Sequence, residues 1–409
     1  MQDIFHPDND SQLVELLQSG LANASRFSIR GKNTKAGFGY SEQAEFGICM
    51  NSFNGIIEYE PAELVMRARA GTPLADIEAA LAQHNQYLAF EPPKLGKLYD
   101  SNATGGSIGG TFMANLSGPR RFLAGAARDH ILGIKAVSGR AEVYKSGGNV
   151  IKNVTGYDLS KLLTGSWGTL SLVTELSFKV LPAPATTISI GVEGLAADAA
   201  LKLLSTVAQS ALESSGLAFI PAATLAMSDN KGFSSHKENL TLIRFEGSSV
   251  SVQERVKSLY QILPGAAATI RYEDEQSRAR WCEIGDTSLL KSTDKNSSIV
   301  KLSIAPAQAT NIVKLLSSFA GCHWYADAAA AWFWLSLKND NAAACIKQLR
   351  HALADGGGSV VLYRAPDHIK QEVGIFSEMN EGLMTLTRRL KDSFDPNNIL
   401  NPNRLFIDS

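Results

Sequence analysis

Apolar and polar residues alternate along several segments of the chain, and this alternation predicts half-buried β-strands. The clearest segment is 170–180, where apolar residues at even-numbered positions alternate with polar residues such as Glu175. Shorter runs of similar character predict strands over residues 26–30, 55–60 and 64–70 and a hairpin of 131–137 with 141–145.

A helical period is evident in two places before residue 92. Apolar residues recur at a spacing of three and four after Ser11, which predicts a helix with Ser11 as its N-cap. A second helix is predicted after Gly71, with Pro73 at its first position, where the missing backbone N–H of proline is no loss.

Beyond residue 186 strands and helices are mixed without glycine-rich loops, which is an α+β pattern. The proline-containing segment 181–184 precedes this change and predicts a domain boundary. The predicted strands are 240–247, 301–305, 331–337 and 359–363, and the predicted helices are 196–212, 252–263, 307–319, 342–354 and 384–393.

Five loops in the first half of the chain combine glycine with cationic or small polar residues. They are residues 31–35, 104–110, 117–121, 147–149 and 152–158. Glycine permits close approach of the backbone, and successive loop amides form concave sites for anions. Ordinary turns would explain one such loop, but five of the same chemistry favour a long anionic ligand, for which a dinucleotide such as FAD is suited.

Other motif assignments for these glycines are weak. Residues 105–109 match the G-x-S-x-G nucleophile elbow, but residues 97–103 are not the apolar strand that this motif requires. The same glycines do not form a Rossmann fingerprint after a strand, and residues 26–33 do not form a Walker A loop. A hydrolase, a Rossmann site and a P-loop are therefore all disfavoured.

Four cationic residues lie in or near these loops, namely Arg120, Arg121, Arg128 and Lys152. They would neutralise a pyrophosphate or the negative charge of a reduced flavin. Solvated surface charge is the alternative for each of them, and the sequence alone does not separate the two interpretations.

Composition narrows the functional class. The chain of 409 residues has a net charge of −1, so nothing global indicates a nucleic-acid or anionic-membrane partner. Its 4 cysteines form no C-x-x-C pair and its 7 histidines form no ligand spacing, which argues against a metal site or an iron–sulfur cluster. No signal peptide or long apolar run is present, so we expect a cytoplasmic protein, with attachment to the inner membrane through partner subunits as an open alternative.

Aromatic residues concentrate over residues 324–334. Core packing is the preferred interpretation of this concentration, and a flat surface for a partner subunit is the alternative.

Taken together, the motifs resemble the FAD-binding domain of the p-cresol methylhydroxylase and vanillyl-alcohol oxidase superfamily. More closely, they resemble the FAD-binding E subunit of bacterial glycolate oxidase. The resemblance is dense over residues 25–185, returns over 360–406 and is thin between them. The motifs that carry it are residues 90–93, 104–106, 115–121, 125–129, 147–148, 152–158, 165–170, 363–366 and 394–406.

The resemblance implies an α+β fold with a two-part FAD-binding domain over residues 1–185, an inserted cap over 186–375 and a C-terminal helix and tail over 376–409 that returns to the FAD domain. It also implies noncovalently bound FAD, with pyrophosphate loops at 31–35 and 104–110. The implied cofactor-binding residues are Arg30, Gly31, Lys32, Asn33, Thr34, Lys35, Pro92, Thr104, Gly105, Gly106, Ser107, Gly109, Gly110, Asn115, Ser117, Gly118, Arg120, Arg121, Arg128, Lys152, Asn153, Gly156, Tyr157, Asp158, Leu172, Asn401 and Arg404.

Two departures from the family pattern shape the functional expectation. The first pyrophosphate loop is poor in glycine and contains no histidine, so a histidyl–flavin bond is not expected there. The segment 186–375 lacks the histidine-rich motif of relatives that oxidise 2-hydroxy acids. A D-type flavoprotein subunit is therefore the better candidate for the substrate chemistry, with an iron–sulfur F-type subunit receiving the electrons.

We predict an FAD-dependent oxidoreductase subunit of a glycolate oxidase complex, which takes part in the oxidation of glycolate to glyoxylate. Arg364 is the candidate catalytic residue, because an arginine near the flavin would bind a carboxylate. The alternatives are a stand-alone FAD-dependent 2-hydroxy-acid dehydrogenase and a non-catalytic assembly subunit with a degenerate FAD site.

Overall fold

A computed structural model of the chain describes residues 3–41, 43–99, 105–148, 156–229, 231–265, 267–290 and 296–406. The predicted site residues Thr104, Lys152 and Asn153 lie outside the described residues. The chain divides into two compact units. The first comprises Met1–Ser117, Gly125–Ala183 and Glu378–Ser409, and the second comprises Gly118–Ala124 and Pro184–Ser377.

The strands of the described residues are β1 (Asp3–Phe5), β2 (Phe27–Arg30), β3 (Phe46–Cys49), β4 (Ile56–Glu60), β5 (Val65–Arg69), β6 (Gln86–Tyr87), β7 (Ile131–Ser138), β8 (Val143–Gly147), β9 (Ser171–Lys179), β10 (Leu181–Pro182), β11 (Thr186–Glu193), β12 (Gly216–Ile220), β13 (Leu240–Gly247), β14 (Thr269–Glu273), β15 (Ser297–Ser303), β16 (His323–Asp327), β17 (Trp332–Lys338) and β18 (Ser359–Arg364). The helices are α1 (Asp10–Ala22), α2 (Leu74–Ala82), α3 (Ile108–Met113), α4 (Arg121–Ala124), α5 (Leu159–Leu163), α6 (Ala197–Ala208), α7 (Ala222–Leu225), α8 (Lys231–Ser234), α9 (Ser249–Ile262), α10 (Asp274–Gly285), α11 (Ala309–Leu316), α12 (Asn339–Leu353), α13 (Asp367–Val373) and α14 (Glu381–Phe394).

The first unit is built on two main sheets. Strands β4-β5-β9-β7-β8 form a five-stranded antiparallel sheet, in which the predicted hairpin is the pair β7 and β8. Strands β1-β3-β2 form a small parallel sheet. Helices α2 and α3 pack their apolar residues onto the larger sheet, so that the core of this unit lies between the helices and β9.

Strand β9 corrects the predicted alternation of segment 170–180. The strand is buried on both faces rather than on one, because it lies between β5 and β7 at the centre of the sheet. A register irregularity between Lys135 and Ala136 of β7 lies opposite β9. Bulges of this kind change which side chains share a face. Val173 accordingly joins the core around α2 and α3, whereas Leu172 joins the core around α1.

Two predicted helix starts are wrong by one or two positions. Helix α1 begins with Asn9 as its N-cap rather than Ser11, because the Asn9 side chain accepts a hydrogen bond from Gln12 N at 3.0 Å. Pro73 is the N-cap of α2 rather than its first residue, since its ψ of 137° is extended and its carbonyl accepts the first helical N–H groups.

The second unit is an eight-stranded antiparallel sheet with the order β14-β11-β13-β12-β16-β17-β15-β18. Helices α6, α9, α11 and α12 cover one face with a continuous apolar core. On the opposite face, Trp281 of α10 donates from Nε1 to Ser189 Oγ of β11 at 2.8 Å. Mixed helix and sheet in both units confirms the predicted α+β class.

Candidate functional site

A concave cleft lies within the first unit, as is usual for ligand sites in proteins. One wall is the loop of residues 31–36, which follows β2 directly. The other walls are the first residues of α3, the turn at Trp167, the start of β9 and the tail residues Asn401 and Arg404. Every element of the cleft therefore belongs to one unit of the chain.

The charge of the cleft is one-sided. Of the described residues that line it, four are cationic, namely Arg30, Lys32, Lys35 and Arg404, and none is acidic. Burying like charges together is unfavourable unless a counterion joins them. The cleft is thus electrostatically suited to an anionic ligand.

The wall near α3 is made of backbone rather than side chains. A Cβ atom at Gly31 would lie 2.8 Å from Ser107 Oγ, and one at Gly106 would lie 2.8 Å from Lys35 Nζ. Gly109 allows α3 to approach β5, since its Cβ would lie 2.7 Å from the Cβ of Ala70. Glycine at these positions leaves room for close approach between segments and ligand.

Lys35 is the most perturbed charge in the cleft. Burial, and after it the neighbouring Arg404 guanidinium, lowers the pKa of Lys35 to about 8. Its ammonium donates to Thr34 Oγ1 at 3.2 Å, and Thr34 is itself buried. A bound anion would favour the charged form and reverse this shift.

The tail of the chain is joined to the cleft by hydrogen bonds. Asn401 accepts from Ile29 N at 2.7 Å through Oδ1 and donates to Trp167 O at 2.8 Å through Nδ2. Arg404 donates to Lys35 O at 3.0 Å and lies over the Trp167 ring, which stacks on Phe38 with a centroid distance of 3.9 Å. The position of Arg404 in the cleft therefore depends on three separate chain segments.

These features fit a dinucleotide such as FAD. Its pyrophosphate requires positive charge and backbone N–H groups, which the four cations and the glycine walls provide. Its ring systems require flat apolar surface, and Leu172, Val173 and Met50 line the same cleft.

The structure brings about half of the predicted cofactor-binding residues together. Those that line the cleft are Arg30, Gly31, Lys32, Asn33, Thr34, Lys35, Ser107, Gly109, Gly110, Leu172, Asn401 and Arg404. Gly106 lies directly behind Lys35, and Gly105 precedes it with a φ of 74°. Ser107 is the N-cap of α3, since its Oγ accepts from Gly110 N at 3.2 Å.

Other predicted residues lie outside the lining of the cleft. Asn115 and Ser117 accept hydrogen bonds from the backbone of Arg128 and Ala127, and Arg128 Nε donates to Lys161 O at 3.1 Å. The remaining members of this group are Pro92, which is partly buried, Gly156 and Tyr157, which are exposed, and Asp158, which is the N-cap of α5.

Three predicted residues, Gly118, Arg120 and Arg121, belong to the second unit rather than to the first. The Arg120 guanidinium forms an ion pair with the buried Glu246 carboxylate. Burial opposes ionisation of Glu246, but Arg244 and then Arg120 lower the pKa of its carboxyl. Sequence patterns do not reveal such a partner 126 residues away.

The second unit contains a further cationic cluster that the sequence did not predict. Lys301 lies with its Nζ 3.1 Å from the centroid of the Trp332 ring and 5.1 Å from that of Trp334. Burial lowers the pKa of Lys301 to about 7, although the nearby Asp327 favours its charged form and Arg121 disfavours it. The aromatic residues of segment 324–334 are therefore packed and buried.

Arg364, the predicted catalytic residue, ends β18 in the same unit. Its guanidinium donates to Ser297 Oγ at 3.1 Å, and burial raises the pKa of the adjacent Tyr363 to about 12. The contact to Ser297 orients Arg364 along the edge of the sheet.

The described residues also bear on two other classes of site. Among their helices, none combines the length and apolar character needed to cross a bilayer. Their histidine, cysteine and acidic side chains form no group of three suited to hold a metal ion.

Comparison with known proteins agrees with the geometry of the cleft. Residues 2–147 match the model of the FAD binding domain, and residues 375–405 match that of the C-terminal domain of FAD linked oxidases. The structure of p-cresol methylhydroxylase with substrate bound superposes with a TM-score of 0.73 over 99% of this chain and 88% of that one, at 15% identity. That similarity establishes the fold alone.

Two curated relatives are similar along most of the sequence. The chain is 25% identical to glycolate oxidase subunit GlcD of Bacillus subtilis (strain 168), over 86% of this chain and 77% of that protein. It is 30% identical to glycolate oxidase subunit GlcE of Escherichia coli (strain K12), over 98% of each chain. On this full-length similarity, and with the FAD-type cleft present, the chain belongs to the GlcE family of FAD-linked oxidoreductase subunits.

Proposed function

We propose that this chain is the FAD-carrying subunit of a glycolate oxidase complex and takes part in the oxidation of glycolate, a 2-hydroxy acid, to glyoxylate. The observation that carries the proposal is the cleft of the first unit, with four cations, glycine walls and no acidic lining residue among those described. The names of the GlcE and GlcD relatives support the substrate class.

The domain roles follow from this proposal. Residues 1–185 and 376–409 would form the FAD-binding domain and residues 186–375 the cap. The predicted contacts of Thr104, Lys152 and Asn153 with FAD stay part of the proposal.

Oxidation of glycolate to glyoxylate releases two electrons and two protons, and bound FAD supplies the acceptor for the two electrons. The chain's own residues bind and orient the cofactor. Lys35 and Arg404 would neutralise its pyrophosphate, and Leu172 and Val173 would exclude water from its apolar surface. Arg364 is proposed to bind a carboxylate, because its guanidinium is already oriented by Ser297.

The partners in this proposal are a D-type flavoprotein subunit and an iron–sulfur F-type subunit. The F-type subunit would receive the electrons that leave the flavin, since iron–sulfur clusters are electron carriers. The similarity to both GlcE and GlcD supports an assembly of several subunits.

A second candidate function is a stand-alone FAD-dependent 2-hydroxy-acid dehydrogenase. One observation favours it: Arg364, the candidate carboxylate-binding residue, lies in the second unit and not among the residues that line the cleft.

The visible absorption spectrum of the purified chain, followed by addition of glycolate, tests both candidates. We expect flavin bands that persist after glycolate is added to the single chain and bleach when the partner subunits are present. Bleaching by the single chain would favour the stand-alone dehydrogenase. A protein without flavin that still binds its partners would favour an assembly subunit.

Acid precipitation of the same sample tests the noncovalent linkage. The flavin should remain in the supernatant, because residues 31–35 contain no histidine to form a histidyl–flavin bond. Flavin absorbance in the washed pellet would contradict noncovalent binding.

A further inference from the structure

Helix α14 differs from the other long helices in what it buries. It has 14 residues, and none of them is buried. Its apolar residues Leu383, Leu386, Leu390 and Phe394 recur at the spacing that places them along one side of a helix. Leu383 is 48% exposed and Leu386 is 54% exposed. We call Leu383, Leu386 and Leu390 the apolar stripe.

The last turn of α14 is nevertheless firmly attached to the first unit. Arg140 Nε donates to Ser393 O at 3.0 Å, and Lys391 Nζ donates to Thr169 O at 2.7 Å. The Phe394 ring contacts that of Tyr144 with a centroid distance of 6.0 Å. The first turn is capped by Asn380, whose side chain accepts from Leu383 N at 2.8 Å. The stripe is thus presented by a helix that is fixed at its far end.

A groove runs beside the stripe and continues its apolar surface. It is lined by Leu390, Leu162, Leu170, Leu405 and Phe406. Ser166 also lines it, and the Oγ of this buried residue has no hydrogen-bond partner within the described residues. Buried hydroxyl groups of folded proteins are normally paired, so this site accommodates a donor or acceptor from an occupant.

The charges around the stripe indicate which occupant fits. Arg388 and Arg389 are both exposed, and at 100° per residue Arg389 lies on the flank next to Leu386. A partner helix with an apolar stripe and acidic flanks would complement this surface. A second copy would supply basic flanks instead, and the acidic Glu381 and Asp392 on the polar side disfavour an anionic membrane surface.

We propose that the apolar stripe of α14 and the adjoining groove form the docking surface for a partner subunit, which inserts an amphipathic helix with acidic flanks. The inference rests on the proposed function, because it assumes that the chain works within a glycolate oxidase complex. Apolar helix anchors in a complementary groove are a common mode of recognition between proteins.

The double variant Leu383→Glu/Leu386→Glu tests the docking surface. Both positions are exposed, glutamate is a good helix former, and it is favourable at position 383 in the first turn, so the helix should persist. Val250→Glu is the matched control, since Val250 is a 77% exposed apolar residue near the start of α9 in the other unit. Complex formation with separately produced D-type and F-type subunits is measured by sedimentation, together with the flavin content of each variant.

We expect wild type and the Val250 variant to bind equally, and the double variant to bind about tenfold or more weakly with unchanged flavin content. Equal binding by the double variant would overturn the docking surface. Failure of flavin-loaded wild type to bind either subunit would also overturn it. A wild type without flavin would instead contradict the proposed FAD-carrying role.

Two further measurements separate other occupants from a partner subunit. If the wild type associates with itself, the double variant does not, and both bind the partner subunits equally, the surface would be assigned to a second copy. If the wild type floats with phosphatidylglycerol vesicles and the double variant does not, the surface would be assigned to a membrane. The variant Arg389→Glu should weaken subunit binding at low salt, and the deficit should shrink as salt screens the charges.

Discussion

Each unit of the molecule holds a lysine whose pKa is lowered by burial, and the two lysines differ in what compensates their charge. Lys35 lies in the cleft of the first unit beside Arg404, with no acidic residue among the described lining residues. Lys301 lies in the second unit between two tryptophan rings, with Asp327 nearby.

The difference indicates which of the two sites is complete as it stands. Cation–π contacts and the Asp327 carboxylate offset part of the cost of burying the Lys301 charge from within its unit, although burial still lowers its pKa. Lys35 gains only a hydroxyl contact, so its charge is best stabilised by an anion from outside. A buried cation without an internal counterion is thus a sign of a ligand site, whereas a compensated one is a sign of packing.

The largest effect is expected when a side chain is added to the backbone wall of the cleft. In Gly106→Val the new Cβ would lie 2.8 Å from Lys35 Nζ and 3.2 Å from Thr34 Oγ1, so Lys35 must move. Flavin affinity should fall roughly 10- to 100-fold, as overpacking usually costs about 1–3 kcal/mol. Gly265→Val is the control, because no atom lies within 4 Å of its added Cβ. Full flavin occupancy in Gly106→Val would show that residue 106 is remote from the cofactor.

A smaller effect is expected from Lys35→Met, which removes the charge and keeps the volume. Flavin affinity at pH 7 should fall about tenfold, since a charged hydrogen bond contributes about 1.5–3 kcal/mol. An anion binds the protonated lysine preferentially, so wild-type affinity should decline as the pH rises above the free-state value of about 8. The flavin affinity of Lys35→Met should not decline with pH in this way.

Titration of the apoprotein with FAD at about pH 7 and pH 9 measures both effects. Lys32→Met is the matched control, because Lys32 lines the same loop but is exposed. The flavin affinity of Lys32→Met should fall less than that of Lys35→Met, and it should keep the wild-type dependence on pH. An identical slope in wild type and in Lys35→Met would contradict the assignment of that slope to Lys35.

The remaining effect concerns folding stability rather than flavin affinity, and it is expected at Lys301 in the second unit. The folded-state pKa of Lys301 is about 7 and lies below the unfolded value, so the unfolded chain binds more protons between pH 7 and pH 10. Wild-type stability should therefore rise with pH over this window relative to Lys301→Met, by at most about 1.4 kcal/mol per pH unit. Melting temperatures of the two proteins across this window measure the slope. Parallel curves would mean that Lys301 keeps its proton throughout.

The sequence was sufficient for the fold class and for the first loop of the cleft. Period-two patterns located β7, β8 and β9, and the run 31–35 stands at one wall of the cleft. These features depend on residues close together in sequence, where local preference and pattern are informative.

Features that depend on distant partners were missed. Trp167 lines the cleft because Arg404 and Phe38 pack on its ring, and its positive φ of 54° becomes evident only in the folded chain. Lys301 reads as a polar interruption of a strand until Trp332 and Trp334 are placed around it by the pairing of β15 with β17. The prediction that strand β9 is half-buried was wrong. Strands β5 and β7 place it at the centre of the sheet, and this placement is not visible in the local pattern.

The hydrogen bond between Asn401 and Ile29 has a consequence for biosynthesis. The two residues are 372 positions apart, so at roughly 5–20 residues per second Asn401 is translated roughly 20 to 70 seconds after Ile29. A nascent chain held on the ribosome can form the glycine loops early but lacks the segment that fixes Trp167 and brings Arg404 to Lys35. We therefore expect the polypeptide to retain its cofactor only after this late segment has emerged, so that incomplete translation products would not compete with finished protein for flavin.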